Sequence, residues 1–180
     1  MYLIFISLIY LFKFFLQLAE ALKSKGLQFE FLNARDVLFV SEGENIGTVV
    51  HWEESEKKLY ERIQKLESTS NSSNKSEAGN VHLIITGYIA STLDGVATTL
   101  KRDGSDFSAS IFGKMLRSSG ITIWTDVSGV YSADPRRVPE AIIIPEVSYT
   151  EAIELAYFGA KVIHPKTMAP AIMYLLFYKQ

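Results

Sequence analysis

The sequence predicts an α/β fold with a largely parallel sheet, and three observations carry that reading. Segments of strand pattern alternate with segments of helix pattern along the chain, the order expected of βαβ layering. The strand segments include a β-branched run at Val81–Thr86 (VHLIIT) and a period-two run at Leu27, Phe29 and Phe31. The chain has 180 residues, 48% hydrophobic and 21% charged, with no internal repeat. That is a folding composition, and at about 150 residues per domain it makes one domain or a piece of a larger one.

The elements follow in order. Met1–Leu18 has only Ser7, Lys13 and Gln17 as polar residues. The pattern runs on through Leu22 to Lys23, Lys25 and Gly26, so residues 1–25 read as an apolar helix with a cationic last turn and a glycine stop. The apolar run before Lys13 is 12 residues, short of the roughly 20 needed to span a bilayer. A membrane anchor or a cleaved signal are the other readings, although no basic n-region precedes the run. Leu27–Phe31 reads as a half-buried strand and Val37–Val40 as a second short one, with Gly43 and Gly47 marking a turn. Leu59, Ile63 and Leu66 recur at helical spacing within Glu53–Glu67, a surface helix.

Ser68–Asn80 (STSNSSNKSEAGN) holds no large apolar residue and reads as a flexible linker. Beyond it the pattern predicts a strand at Val81–Thr86, a helix at Ser105–Leu116 and strands at Ile121–Trp124 and Ala141–Ile144. A helix at Tyr149–Tyr157 and a last helical stretch from Lys166 complete the reading.

Composition excludes several functions. With 18 basic against 20 acidic residues there is no electrostatic footprint for a nucleic-acid backbone. Zero cysteines exclude a disulfide framework, thiolate zinc and a catalytic thiol, and fit a reducing compartment. His51, His82 and His164 are too scattered for a local metal motif. Neither Gly-x-x-x-x-Gly-Lys-Ser/Thr, Gly-x-Gly-x-x-Gly nor Gly-x-Ser-x-Gly occurs.

In open α/β sheets ligands bind beyond the carboxyl ends of strands, which directs attention to Gly87–Asp106 and Thr125–Arg136. The first segment runs into a helix whose free amides and dipole suit an anion, beside Gly104 and the fork of Arg102. Asp106 either caps this helix or orients a cation beside a phosphate, and Arg102 is either a ligand cation or a solvated charge. In the second segment Asp126 can hold a ribose hydroxyl or ammonium, Tyr131 offers a flat face to a base, and Arg136 can reach a phosphate; the plainer reading is a turn-rich loop. Lys161 is either a phosphate partner or an exposed lysine.

Three strings in order, GYIASTLDGVATTLKRDGSDFSASI, IWTDVSGVYSADPRRVPEA and SYTEAIELAYFGAKVIHPKTMAPA, resemble aspartokinase, most closely the kinase portion of bifunctional aspartokinase/homoserine dehydrogenases. The resemblance covers roughly Gly26–Ala171 and implies an amino acid kinase-like three-layer α/β/α sandwich, incomplete here. It implies transfer of the γ-phosphate of ATP, with Mg2+ held mainly by phosphates, to the side chain of L-aspartate, giving 4-phospho-L-aspartate on the way to lysine, threonine and methionine. By the same resemblance Arg102 and Ser105 bind the substrate and Asp106 is catalytic. Thr125, Asp126, Tyr131, Arg136 and Lys161 bind ATP, and no protein metal ligand is implied. Residues 26–67 would belong to the substrate lobe and 81–180 to the nucleotide-binding part, with no regulatory ACT-type or dehydrogenase domain. A cytoplasmic or plastid setting and a homo-oligomer are compatible with it.

The sequence also departs from the family pattern. The Lys-Phe-Gly-Gly-Ser/Thr motif, whose lysine bridges the phosphates, has no counterpart here. Tyr10-Leu11-Phe12-Lys13-Phe14 stands in the region of the Gly-Glu-x-x-Ser motif, whose glutamate receives the aspartate ammonium. The expectation is a domain lacking its first strand and its exit strand, weak or inactive in catalysis and prone to self-association through open sheet edges.

Overall fold

The computed structural model describes residues 3–4, 11–27, 29–43, 47–70, 82–101, 104–124, 129–157 and 167–172. The chain divides into two compact units, Met1–Ala109 and Ser110–Gln180.

In the first unit three parallel strands, β1 (Leu3–Ile4), β2 (Phe29–Leu32) and β5 (His82–Ile85), form a sheet in the order β1-β5-β2. The apolar N-terminal run is therefore not one helix. Leu3 and Ile4 pair with Leu83 and Ile84 along β5, satisfying backbone groups on that side of the central strand. This corrects the expectation of a sheet whose first strand is lost.

Helix α1 follows at Leu11–Ser24. Its 14 residues span about 21 Å at 1.5 Å per residue, short of the ~30 Å hydrocarbon core of a bilayer. Among the described residues no helix is long and apolar enough to cross a membrane. Ala19 is buried against Phe29 and Ile84, with Leu18 and Leu22 packed beside them, so the face one turn apart lies on the sheet. The expected glycine stop is present: Gly26 has φ +79°, its amide donates to the Lys23 carbonyl at 3.0 Å, and the Leu27 amide donates to the Leu22 carbonyl at 3.1 Å. This is the Schellman pattern, which needs a left-handed residue that glycine alone adopts without strain. Lys23 in the last turn pairs with Glu30 of β2 at 2.9 Å.

Two antiparallel hairpins, one only half anticipated and the other not at all, accompany the parallel sheet. One joins β3 (Val40–Gly43) to β4 (Gly47–Val50), so the strand expected at Val37–Val40 begins where that segment ends. Residues 34–36 form a 3-10 turn instead, started by the Asn33 side chain, which accepts from the Arg35 amide at 3.2 Å. The other hairpin joins β6 (Ile89–Ser91) to β7 (Ala97–Thr99). Its tip closes through the Thr92 amide on the Val96 carbonyl (2.9 Å) and the Gly95 amide on the Thr92 carbonyl (3.0 Å). The Thr92 side chain also holds the exposed Asp94 carboxyl below its ordinary value.

Helix α2 (Trp52–Ser70) buries Ser55 and Leu59, and the Ser55 hydroxyl accepts the Phe39 amide at 2.9 Å. The helix runs through Ser68–Ser70, which sequence reading gave to the linker. The Ser68 hydroxyl donates to the Gln64 and Lys65 carbonyls, supplying partners to last-turn acceptors. The rest of that linker lies outside the described residues.

Helix α3 (Gly104–Met115) matches its expected span and is an inner helix, with Phe107, Ser108, Ile111 and Phe112 all buried. In the second unit the strand expected at Ile121–Trp124 is not formed. Those residues lack regular structure, and Trp124 is 89% exposed. The strand expected at Ala141–Ile144 is reduced to one antiparallel bridge, Tyr131 to Ile143, flanked by Ser132 and Ile144 amides donating to the Ile142 and Val130 carbonyls. Ile142 and Ile143 are exposed, and a strand without a buried face gains little from extending its ladder. Helix α4 (Tyr149–Tyr157) matches its expected span. The Ser148 hydroxyl and Glu151 carboxylate form its capping box at 2.7–3.2 Å. Those bonds to Ser148 hold the exposed Glu151 carboxyl below its ordinary value. Residues 167–172 form a further helical stretch.

Candidate functional site

The carboxyl ends of β2 and β5 meet at Thr86. Its amide extends the ladder to the Leu32 carbonyl at 3.2 Å, and its hydroxyl accepts the Ala34 amide at 2.8 Å. Both residues are buried, Ala34 completely. The bond therefore fixes the two strand ends that frame the loop beginning at Gly87. Thr86→Val keeps the shape but leaves the Ala34 donor buried without its acceptor. The expected cost is about 1–3 kcal/mol, read as a lower urea midpoint at unchanged slope.

Beyond Thr86 the chain turns through Tyr88, a non-glycine residue at φ +71°. The Tyr88 amide donates to the buried Ser108 hydroxyl of α3 at 2.8 Å, and its carbonyl accepts the Leu100 amide at 2.8 Å. A left-handed tyrosine held from both sides is the kind of backbone outlier that gathers at ligand sites. Sequence reading missed Thr86 and Tyr88 as site residues; the signal available was a threonine and glycine closing an apolar strand.

The same bonds bring the start of α3 to this loop. Gly104 opens the helix at φ +63° with open space where a Cβ would stand, so it is conformation and not crowding that asks for glycine. Ser105 and Asp106 follow in the first turn, both half-buried. Burial raises the Asp106 carboxyl above its ordinary value, and a hydrogen bond from the Ser105 side chain opposes the shift. Asp106 is the third residue of the helix rather than the residue before it, which places its charge beside the free first-turn amides. A partly desolvated carboxylate, a hydroxyl and amides without an acceptor inside the helix can together order an anionic ligand and its counter-cation.

Of the other residues singled out in the sequence, Arg102, Thr125, Asp126 and Lys161 lie outside the described residues. Tyr131 (half-buried) and Arg136 (exposed) share one arm of the second unit. Tyr131 sits in the bridge to Ile143, and the Arg136 amide donates to the Asp134 carboxylate at 2.9 Å in a side-chain-closed turn. The second unit also contains a cavity of about 330 Å3 lined by Ser110, Gly113, Lys114, Ile121, Tyr149 and Met168 among others. Of the described residues singled out in the sequence, none lines it. Among the described residues no group of three or more His, Asp or Glu could hold a metal ion.

The amino acid kinase family model matches residues 16–174. The chain belongs to the amino acid kinase family. This family member is 46% identical over 157 residues to the chloroplastic bifunctional aspartokinase/homoserine dehydrogenase 2 of Arabidopsis thaliana, a match covering 87% of this chain and 16% of that protein. It is 49% identical over 94 residues to lysine-sensitive aspartokinase 3 of Escherichia coli K12, covering 52% of this chain and 21% of the other. Its structure matches E. coli aspartokinase III in complex with aspartate and ADP (R-state) with a TM-score of 0.71 at 32% identity, over 89% of this chain and 33% of that one. The aspartokinase likeness read from the three motifs is thus borne out, and with it the amino acid kinase fold. The chain spans about a sixth of the length of the chloroplastic relatives it matches.

Proposed function

We propose that this chain carries the phosphoryl-transfer site of an aspartate kinase, passing the γ-phosphate of ATP to the side-chain carboxylate of L-aspartate. The observation that carries the reading is the first turn of α3. Ser105 and a partly desolvated Asp106 stand there beside first-turn amides that have no acceptor within the helix, in the Lys-Arg-Asp-Gly-Ser-Asp segment by which the chain resembles aspartokinases. The E. coli relative with aspartate and ADP bound supports the choice of both substrates.

The proposed chemistry is an in-line displacement. A carboxylate oxygen of aspartate forms a bond to the γ-phosphorus, the bond to the β,γ-bridging oxygen breaks, and ADP leaves with that electron pair. Such a transfer asks mainly for positioning and charge neutralisation. Arg102 would grip the α-carboxylate through its planar fork, with Ser105 beside it, while Asp106 orients the cationic groups facing the transferring phosphoryl. Thr125, Asp126, Tyr131, Arg136 and Lys161 would hold the nucleotide. Mg2+ would arrive on the phosphate oxygens, neutralising their charge, and no cage of protein carboxylates is needed for that role. Residues 26–67 would belong to the substrate lobe, and 81–180 would hold the nucleotide and, through Arg102 and Ser105, also contact the acceptor.

Without a counterpart of the phosphate-bridging lysine, turnover should be slow, and that gap favours a second reading, a nucleotide-binding remnant without catalysis. The chloroplastic relatives support a plastid setting, with the cytoplasm as the alternative. Self-association is consistent with the exposure of Trp124, Ile142 and Tyr157.

Trapping the acyl phosphate with hydroxylamine, with aspartate, glutamate or a nucleoside monophosphate as acceptor, tests the proposal. Hydroxamate formed with aspartate alone is the expected result. Phosphorylation of glutamate or of the nucleotide in its place would assign the chain to a different activity within the family.

A further inference from the structure

We propose that the ion pair between Lys101 and Glu42 is a positioning device that holds the backbone turn at Lys101, just before the opening of α3, against the β3–β4 hairpin and thereby sets the affinity for aspartate. The inference deepens the kinase reading and rests on it. Lys101 adopts φ +55°, a conformation that L side chains rarely take. It stands directly before residues 102 and 103 and the opening of α3. Its Nζ pairs with the Glu42 carboxylate of β3, 59 residues away in the chain.

Both ends of the link are anchored. Leu100, next to Lys101, is completely buried and donates its amide to the Tyr88 carbonyl. Glu42 lies opposite Thr48 in the β3–β4 ladder. The base of that hairpin is joined to the other by the Phe39–Ser91 bridge and by the Ser91 amide on the Leu38 carbonyl at 3.0 Å. Between the hairpins lies a small cleft of about 100 Å3, lined by Ser41, Glu42, Thr48, Thr98, Thr99 and Lys101 among others. The ion pair spans this cleft and ties the unusual backbone turn to a fixed sheet edge.

Both side chains are substantially exposed, at 52% and 75%, so the pair adds little to global stability. What it can change is the population of the Lys101 turn that precedes α3. An exposed pair is worth up to about a fivefold shift in such an equilibrium, and salt should screen it.

The test compares the wild-type chain with Lys101→Met, Glu42→Gln, the double variant and Lys101→Arg. Steady-state kinetics and hydrogen exchange at the Leu100 and Lys101 amides are both measured. The proposal expects KM for aspartate to rise about three- to fivefold in either single variant, with kcat and KM for ATP changed less than about twofold. The double variant should be no worse than either single one, and Lys101→Arg should restore the wild-type value. In ~1 M salt the wild type should approach the variants. Unchanged KM for aspartate in both single variants, or additive losses in the double, would overturn it. If the wild type shows no aspartate-dependent turnover, the kinase reading fails on its own, and exchange decides the ion pair. Equal acceleration at both amides in the two single variants supports the clasp, and unchanged exchange rejects it.

Discussion

Asp106→Asn should lower aspartate-dependent ADP formation about 100- to 1,000-fold, the range seen when one preorganised electrostatic group is removed from an active site, while MgATP still binds. The variant keeps size and shape at the third position of α3, so a loss of turnover cannot be assigned to a collapsed helix start. Its stability profile provides an independent check. Burial raises the Asp106 carboxyl above its ordinary 3.8, so as pH rises from that value the unfolded chain releases its proton before the folded one does. The folded state then binds more protons than the unfolded state, and the stability of the wild type falls across that window. Asparagine carries no such penalty. Urea titrations of both proteins from about pH 3.5 to 7 should show the variant gaining relative to wild type as pH rises through the window above 3.8. A pH-independent difference would mean that the Asp106 carboxyl is solvated in the folded state.

The second large effect is on the frame that carries this turn. Ile84 lies at the centre of β5, between β1 and β2, completely buried against Ala19 and Phe29. Ile84→Ala removes three heavy atoms from a site closed on two sides by paired strands and on a third by α1. Such a site collapses poorly, so the cost should be about 2–5 kcal/mol. Against a typical domain stability of roughly 5–15 kcal/mol that is a large share, visible as a fall in urea midpoint and as loss of protection at the β5 amides. A loss below about 1 kcal/mol would mean that α1 and β1 do not pack on this strand in solution.

Where local rules decide, the fold was legible in the sequence. The Gly26 stop, the span of α4 and the extent of α3 follow from a glycine in the left-handed region, a Ser-x-x-Glu box and a helical apolar pattern. Where a segment's state depends on what lies beside it, the sequence misleads. Leu3 and Ile4 look like part of a helix because apolar residues alone do not distinguish the two states, and it is pairing with β5 that makes them a strand. Ile121–Trp124 and Ala141–Ile144 have strand composition but, among the described residues, no buried ladder to join. The site shows the same division. Asp106 could be read from its place at a helix start after a glycine, and Ser105 from the resemblance to aspartokinase. Thr86, Tyr88 and the Lys101–Glu42 link arise from side-chain contacts across 20 to 59 positions, which no local spacing reveals.

The proposed activity is transfer of phosphate to aspartate with Asp106 acting from the first turn of α3. ADP release from MgATP by the purified wild-type chain, with and without L-aspartate, tests it most directly. Slow release that depends on aspartate and disappears in Asp106→Asn is the expected result. Release that is absent, or the same with and without aspartate while MgATP binds, would contradict it and leave a nucleotide-binding member of the family without this activity.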